Sequence, residues 1–175
     1  MNYSSAGCIF FDEKFVLAGY QPRKQKPFLS GLGGKKEEGE TYEITALRET
    51  IEELFELQTV PLQWIHTIQE RIPSKGSLKN GDYISLLYSL EDLQQILLIL
   101  QEFGVESELY EEFPNNLLSL LFYRKQLQYP AEISHLTLLP FVNHTSETPF
   151  VSPYFVKDLR LLHQKIKAET VERNE

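Results

Sequence analysis

The 175-residue chain has a single cysteine, Cys8, so no disulfide can close within it. A lone thiol inside an apolar run fits a reducing compartment, and a cytoplasmic location is expected. Long apolar runs are missing too. The longest candidates, residues 96–100 and 117–122, fall far short of the roughly 18 residues that cross a bilayer. The N-terminal stretch MNYSSAGCIFFDEKF has neither the basic start nor the extended apolar core of a signal peptide. No membrane partner is therefore expected. Positive charge is scarce: 17 Lys and Arg stand against 25 Asp and Glu, for a net charge of −8. That balance disfavours an extensive nucleic-acid track, though not a short one. The four histidines (His66, His135, His144 and His163) lack metal-ligand spacing and read as structural or surface residues. Internal repeats and low-complexity tracts are absent.

What is present is ordinary globular material. The apolar fraction is 42%, and the length suits one domain, residues 1–175. Two short β-prone runs, 6–11 and 15–20, are joined by Asp12-Glu13-Lys14 and read as a hairpin. A short strand is expected at 28–32, a helix at 42–57 and a strand at 62–72. A turn-rich loop over 73–81 carries Asn80-Gly81, a hairpin signal, before a strand at 82–90. A helix over 91–103 has Ser89 as its cap and Gly104 as its stop. An acidic loop or frayed helix over 105–116, a helix over 117–128, a strand over 132–142 broken at Pro140, a loop over 143–153 and a helix over 154–167 follow. A charged tail, 168–175, closes the chain. The class is α/β, in one domain.

One stretch stands out from this background: GGKKEEGETYEITALRETIEELFEL, residues 33–57. Between Glu40 and Glu56 it holds six glutamates and a single basic residue, Arg48. At about 100° per residue, Ile44, Leu47, Ile51, Leu54 and Phe55 share one side, and Glu49, Glu52, Glu53 and Glu56 the other. Thr41 is a fitting N-cap, with Glu43 in the first turn. Most acidic faces are simply solvated. This one places like charges four residues apart twice, Glu49 with Glu53 and Glu52 with Glu56, which costs a few tenths of a kcal/mol per pair. A bound divalent cation would relieve that repulsion, and hard cations take oxygen ligands, water and phosphate.

The spacing resembles the Nudix box, G-x5-E-x7-R-E-U-x-E-E-x-G-U, where U is a bulky aliphatic. Gly34, Glu40, Arg48, Glu49, Glu52 and Glu53 match six fixed positions. Thr50, Phe55 and Glu56 depart from it: the family has an aliphatic, a glycine and an aliphatic there. Because that glycine ends the family's helix, the helix here is expected to pack about one turn further. The resemblance to the Nudix hydrolase superfamily implies an α/β/α sandwich with a mixed sheet, here with a helical insertion around 91–128. It implies metal-dependent hydrolysis of a diphosphate linkage in a nucleoside diphosphate derivative: a nucleoside triphosphate, dinucleotide or nucleotide sugar. Hydrolysis of the mRNA cap, with capped RNA as partner, is one alternative. A Nudix-like module that binds ligand with little turnover is another.

Carried over residue by residue, the resemblance makes Glu52 and Glu53 ligands of Mg²⁺ or Mn²⁺ and Glu49 a ligand or general base. The Gly34 carbonyl becomes a further metal contact, Glu40 a support, and Arg48 the residue that orients Glu52. Family members often take another carboxylate from a distant loop, and Glu108, Glu111 and Glu112 are candidates on sequence position alone. Arg23, Lys24, Lys26, Lys35 and Lys36 are candidates to meet phosphate, and Trp64, Tyr83 and Phe28 to stack on a base, although surface and core roles are the ordinary ones for such residues. The 91–128 segment is a candidate substrate lid, RNA-binding arm or homodimer contact.

Overall fold

In the computed structural model, residues 2–141 and 150–174 are described; His144 and most of the expected 143–153 loop lie outside them. The chain runs β1 (Ser5–Phe11), β2 (Phe15–Gln21), β3 (Phe28–Ser30), β4 (Leu32–Lys35), α1 (Tyr42–Phe55), α2 (Leu62–Arg71), β5 (Ser77–Asn80), β6 (Tyr83–Ser89), α3 (Leu90–Glu102), α4 (Leu117–Phe122), β7 (His135–Pro140) and α5 (Pro153–Asn174). The strands form one mixed sheet, ordered β3-β2-β1-β6-β5, with β4 also on β1 and β7 also on β2. At its centre β1 runs parallel to β6 from Ser5↔Tyr83 to Phe11↔Ser89. Its other edge takes β4 antiparallel, from Ser5↔Lys35 to Cys8↔Leu32.

Side-chain alternation along the strands sorts the core into two layers. Ala6, Cys8 and Phe10 of β1 and Ile84, Leu86 and Tyr88 of β6 face a cluster with α1, α2 and α3. Ile9 and Leu87 face the other way, with Val16, Ala18 and Leu78, onto Phe155, Val156, Leu159 and Leu162 of α5. The result is the expected α/β/α sandwich. Burial of Cys8 in the first layer pushes its thiol up to about 12, an inert state. No described helix is long and apolar enough to cross a membrane.

Most elements fall where the sequence places them, and the differences have local causes. Residues 62–71 form a helix rather than the expected strand; Ile65, Ile68 and Ile72 are buried at helical spacing, and Pro61 precedes its first turn. The 73–81 loop contains β5, whose hairpin to β6 turns at Gly81-Asp82 with Gly81 at φ 65°. The helix expected over 117–128 stops at Phe122, because Lys125 N–H leaves to bond Leu109 O at 2.7 Å. The tail beyond 167 continues α5 to Asn174. His163 stacks on Phe141, with ring centroids 4.2 Å apart, and His135 meets Tyr20 edge-on.

α1 starts as expected, with Thr41 Oγ1 accepting from Ile44 N–H. It does not run a turn past the family pattern. It ends at Phe55, and Glu56 takes the left-handed conformation (φ 50°, ψ 46°) that glycine usually supplies. Two contacts hold this non-glycine residue there: Glu132 N–H donates to its Oε2 at 3.1 Å, and Arg23 Nη2 reaches Oε1 at 3.3 Å. Phe55 is fully buried, 4.7 Å centroid to centroid from Phe113 and 6.0 Å from Tyr110. It anchors the 105–116 loop to the helix end. Phe55→Ala is expected to cost about 3–5 kcal/mol of unfolding free energy, read from urea denaturation; a loss below 1 kcal/mol would mean that loop is not docked there.

Candidate active site

The acidic helix is not a solvated face. Arg48 is 7% exposed and Glu53 5%. The segment after β4 folds back over the first turns of α1, and Arg48 is its tie. Its Nε donates to Glu40 Oε1 at 2.6 Å and its Nη2 to Glu40 Oε2 at 3.0 Å and to Lys35 O at 2.9 Å. Its Nη1 donates to Glu49 Oε1 at 2.9 Å and Glu52 Oε2 at 3.0 Å. Glu40 also accepts from Glu37 N–H at 3.0 Å and Thr45 Oγ1 at 2.7 Å. Burial alone would raise the Glu40 carboxyl. Its bonds from Arg48, Glu37 and Thr45 outweigh that and bring it down to about 2. Arg48 is held above its ordinary value, foremost by Glu40.

The glycines of β4 permit the helix to come this close. A Cβ on Gly34 would stand 2.1 Å from a Glu49 carboxylate oxygen, and one on Gly33 would strike Tyr83 Oη at 2.3 Å. With neither present, Gly33 N–H donates to Glu53 Oε2 at 2.7 Å. Burial raises the Glu53 carboxyl to about 8; the Gly33 bond and Lys24 pull it down, while Glu132 and Glu49 push it up. Glu52 is raised as well, first by burial.

A cleft of about 480 Å³ collects Glu49, Glu52, Glu53 and Glu56 from the end of α1, Leu57 and Gln58 beyond it, and Glu106, Ser107, Glu108 and Glu132 from the later chain. Of the three distant candidates, Glu108 lines this cleft with the α1 carboxylates; Glu111 and Glu112 do not. Glu106 and Glu132 were not foreseen, because only tertiary folding brings them here. The donor set is all oxygen, and Glu53 is a buried carboxyl facing like charge, so the residues suit a hard cation. As arranged, no three acidic, His or Cys side chains among the described residues stand close enough to hold one. Arg48 lies between Glu49 and Glu52, and these would have to turn from it toward an ion.

The other sequence candidates are dispersed. Arg23 is bound to Pro130 O at 2.7 Å and to Glu56. Lys24 is near enough for its charge to act on Glu53. Lys35 contributes its carbonyl to Arg48, and Lys36 Nζ sits 4.6 Å over the Tyr3 ring. Trp64 is not brought to the acidic cleft; it stacks on Phe103 with centroids 6.0 Å apart. Tyr83, by contrast, lines a second cleft, of about 630 Å³, with Gly31, Gly33, Asn80, Phe155 and Asp158. Gly33 therefore borders this cleft while its N–H holds Glu53. Asn80 Nδ2 donates to Asp158 Oδ1 at 2.7 Å. Burial raises the Asp158 carboxyl to about 6, against the Asn80 bond and Lys157.

A family model for the NUDIX domain matches residues 1–129. Among curated proteins, none matches the chain.

The raised Asp158 carboxyl has a consequence for stability. Below about pH 3 it is protonated whether the chain is folded or not, and it contributes nothing. As pH rises from about 3 through 6 the unfolded chain ionises first, so folded stability falls; by about pH 7 the penalty is complete. Asp158→Asn, which keeps an acceptor for Asn80, is expected to be about 2–3 kcal/mol more stable than the parent at pH 7.5 and about equal to it at pH 3. Melting curves at the two pH values check this; a gain of the same size at both would contradict it.

Proposed function

The chain belongs to the NUDIX domain family, pyrophosphohydrolases that act on phosphoanhydride bonds in nucleoside diphosphate derivatives, and from that premise we propose that α1 is the catalytic element of this hydrolase. In this reading Glu49, Glu52 and Glu53, with the Gly34 carbonyl, hold Mg²⁺ or Mn²⁺. The observation that carries the reading is the buried Glu53 carboxyl, fixed by Gly33 N–H and pressed by Glu49 and Glu132. A group so placed is stabilised as carboxylate by a positive ligand. When bound, the cation supplies charge neutralisation for the diphosphate and an acidified water. The chain's own residues do the rest. Arg48 keeps Glu49 and Glu52 side by side and stays tied to Glu40, which supports the helix start. Glu49 serves as ligand or general base, and Lys24 brings positive charge toward the same cleft.

The substrate in this reading is a nucleoside diphosphate derivative rather than a bare polyphosphate. The second cleft supports that: at about 630 Å³ it is large enough for a nucleoside, offers the polar pair Asn80–Asp158 beside the rings of Tyr83 and Phe155, and abuts Gly33. The chain acts as one domain in the cytoplasm, and the 91–128 segment is an insertion that walls the acidic cleft through Glu106 and Glu108.

The test is Mg²⁺-dependent phosphate release from a panel of nucleoside triphosphates, dinucleotides, nucleotide sugars and capped RNA. Turnover is expected on a member of the first three groups and lost with chelator. Glu53→Gln is expected to lower kcat by on the order of 10²–10⁴ while the circular dichroism spectrum is kept. Undiminished turnover in that variant would overturn the site assignment, and release from capped RNA alone would favour decapping.

A further inference from the structure

The far end of α1 is closed by groups from much later in the chain. A helix leaves its last four carbonyls without intrahelical donors. Here Glu52 O accepts from the N–H groups of Glu56 and Leu57. Phe55 O accepts from Ser107 Oγ at 2.6 Å. The two between them, Glu53 O and Leu54 O, both accept from Arg124, through Nη2 at 3.2 Å and through Nη1. The same guanidinium donates to Ile133 O at 2.7 Å and to the Tyr110 hydroxyl at 3.0 Å.

Arg124 is 8% exposed, and among the described residues none of its acceptors is a carboxylate. A buried cation without a counter-ion is costly unless its donors are all placed. The negative end of a helix offsets part of that cost. Ending the helix does not require such a device, because Glu56 already supplies the left-handed residue that closes one. What Arg124 adds is a fixed relation between two pieces of backbone. One carries Glu53, whose carboxyl meets Gly33. The other carries Ile133, next to Glu132, which lines the same cleft and acts electrostatically on Glu53.

We propose that Arg124 is a positioning residue of the hydrolase site: by binding Glu53 O, Leu54 O and Ile133 O together, it sets where the Glu53 carboxylate stands relative to Gly33 and Glu132. It touches neither substrate nor cation. The inference rests on the function proposed above.

The full chain is compared with Arg124→Met, Arg124→Lys and Tyr110→Phe. Affinity for Mn²⁺ alone is measured by electron paramagnetic resonance, and kcat and KM on the best panel substrate with Mg²⁺. Arg124→Met is expected to weaken Mn²⁺ binding and lower kcat by roughly tenfold each, with little change in KM, and Arg124→Lys to recover much of both. Partial unfolding would reduce the number of Mn²⁺ sites rather than their affinity, so affinity separates positioning from stability. A folded Arg124→Met with a lower melting temperature but Mn²⁺ affinity and kcat within about twofold of the parent overturns the proposal. If Arg124→Met does not fold, Arg124→Lys and Tyr110→Phe decide. Each fills its site and should weaken Mn²⁺ binding by about twofold or more, and unchanged affinity in both overturns the proposal. A parent chain that neither binds Mn²⁺ nor hydrolyses any compound overturns the hydrolase reading itself; an active parent with an insensitive Arg124→Met overturns the positioning role alone.

Discussion

The five hydrogen bonds from Arg48 are the interaction on which the arrangement of the acidic side of α1 depends. Three carboxylates on and beside one stretch of helix repel one another, and a helix bearing them would be weakened by that repulsion. Arg48 binds Glu40, Glu49 and Glu52 at once and adds the Lys35 carbonyl, so the strand-to-helix turn and the helix become one piece. Because the guanidinium is shielded from water, these are charge-assisted bonds in a low-dielectric setting, stronger than exposed ion pairs. Glu53 is left out of this arrangement. It faces the other way, toward Gly33, with one backbone N–H as its bonded partner. The neighbourhood thus divides into carboxylates that are compensated from within and one that is not.

That division was only half legible in the sequence. The register of the apolar stripe, the Thr41 cap and the six matched positions located the helix and its acidic side correctly. Amphipathic reasoning grouped the four glutamates on one side, however, without showing how deeply Arg48 and Glu53 are buried, because a helical wheel cannot say what covers the polar side. The covering strand β4 is short and glycine-bearing, and its close approach depends on side chains that are missing at Gly33 and Gly34. The 62–72 segment misled for a related reason. Its three isoleucines and Trp64 carry β propensity, yet their spacing and a preceding proline suit a helix, and packing against α3 decided the matter. Arg124 and Glu132 gave no local signal at all. Their roles exist only once residues 70 to 80 positions apart are folded together.

The departures from the family pattern also become intelligible together. A glycine at position 55 would end the helix by itself. Phe55 instead fills the first core layer, and the left-handed turn moves to Glu56, where Arg23 and Glu132 hold it. Ser107 and Arg124 then satisfy the carbonyls that remain. One substitution in the helix thus goes with a set of contacts supplied by residues 105–133.

The central strand has a bearing on how the chain reaches this state. Every residue of β1 from Ser5 to Phe11 pairs with β6, and the partner of Ser5 is Tyr83. A chain emerging from a ribosome at roughly 5–20 residues per second leaves β1 without that neighbour for several seconds. During that interval β1 can hold only local partners, the hairpin to β2 and the antiparallel contact with β4. The joining of β6 to β1 is therefore a late event, a non-local parallel pairing of the kind that slows folding. Until then Ile9 and Phe10, among the most buried side chains of the finished protein, remain exposed to self-association, and production yield should respond more to synthesis rate and temperature than to final stability.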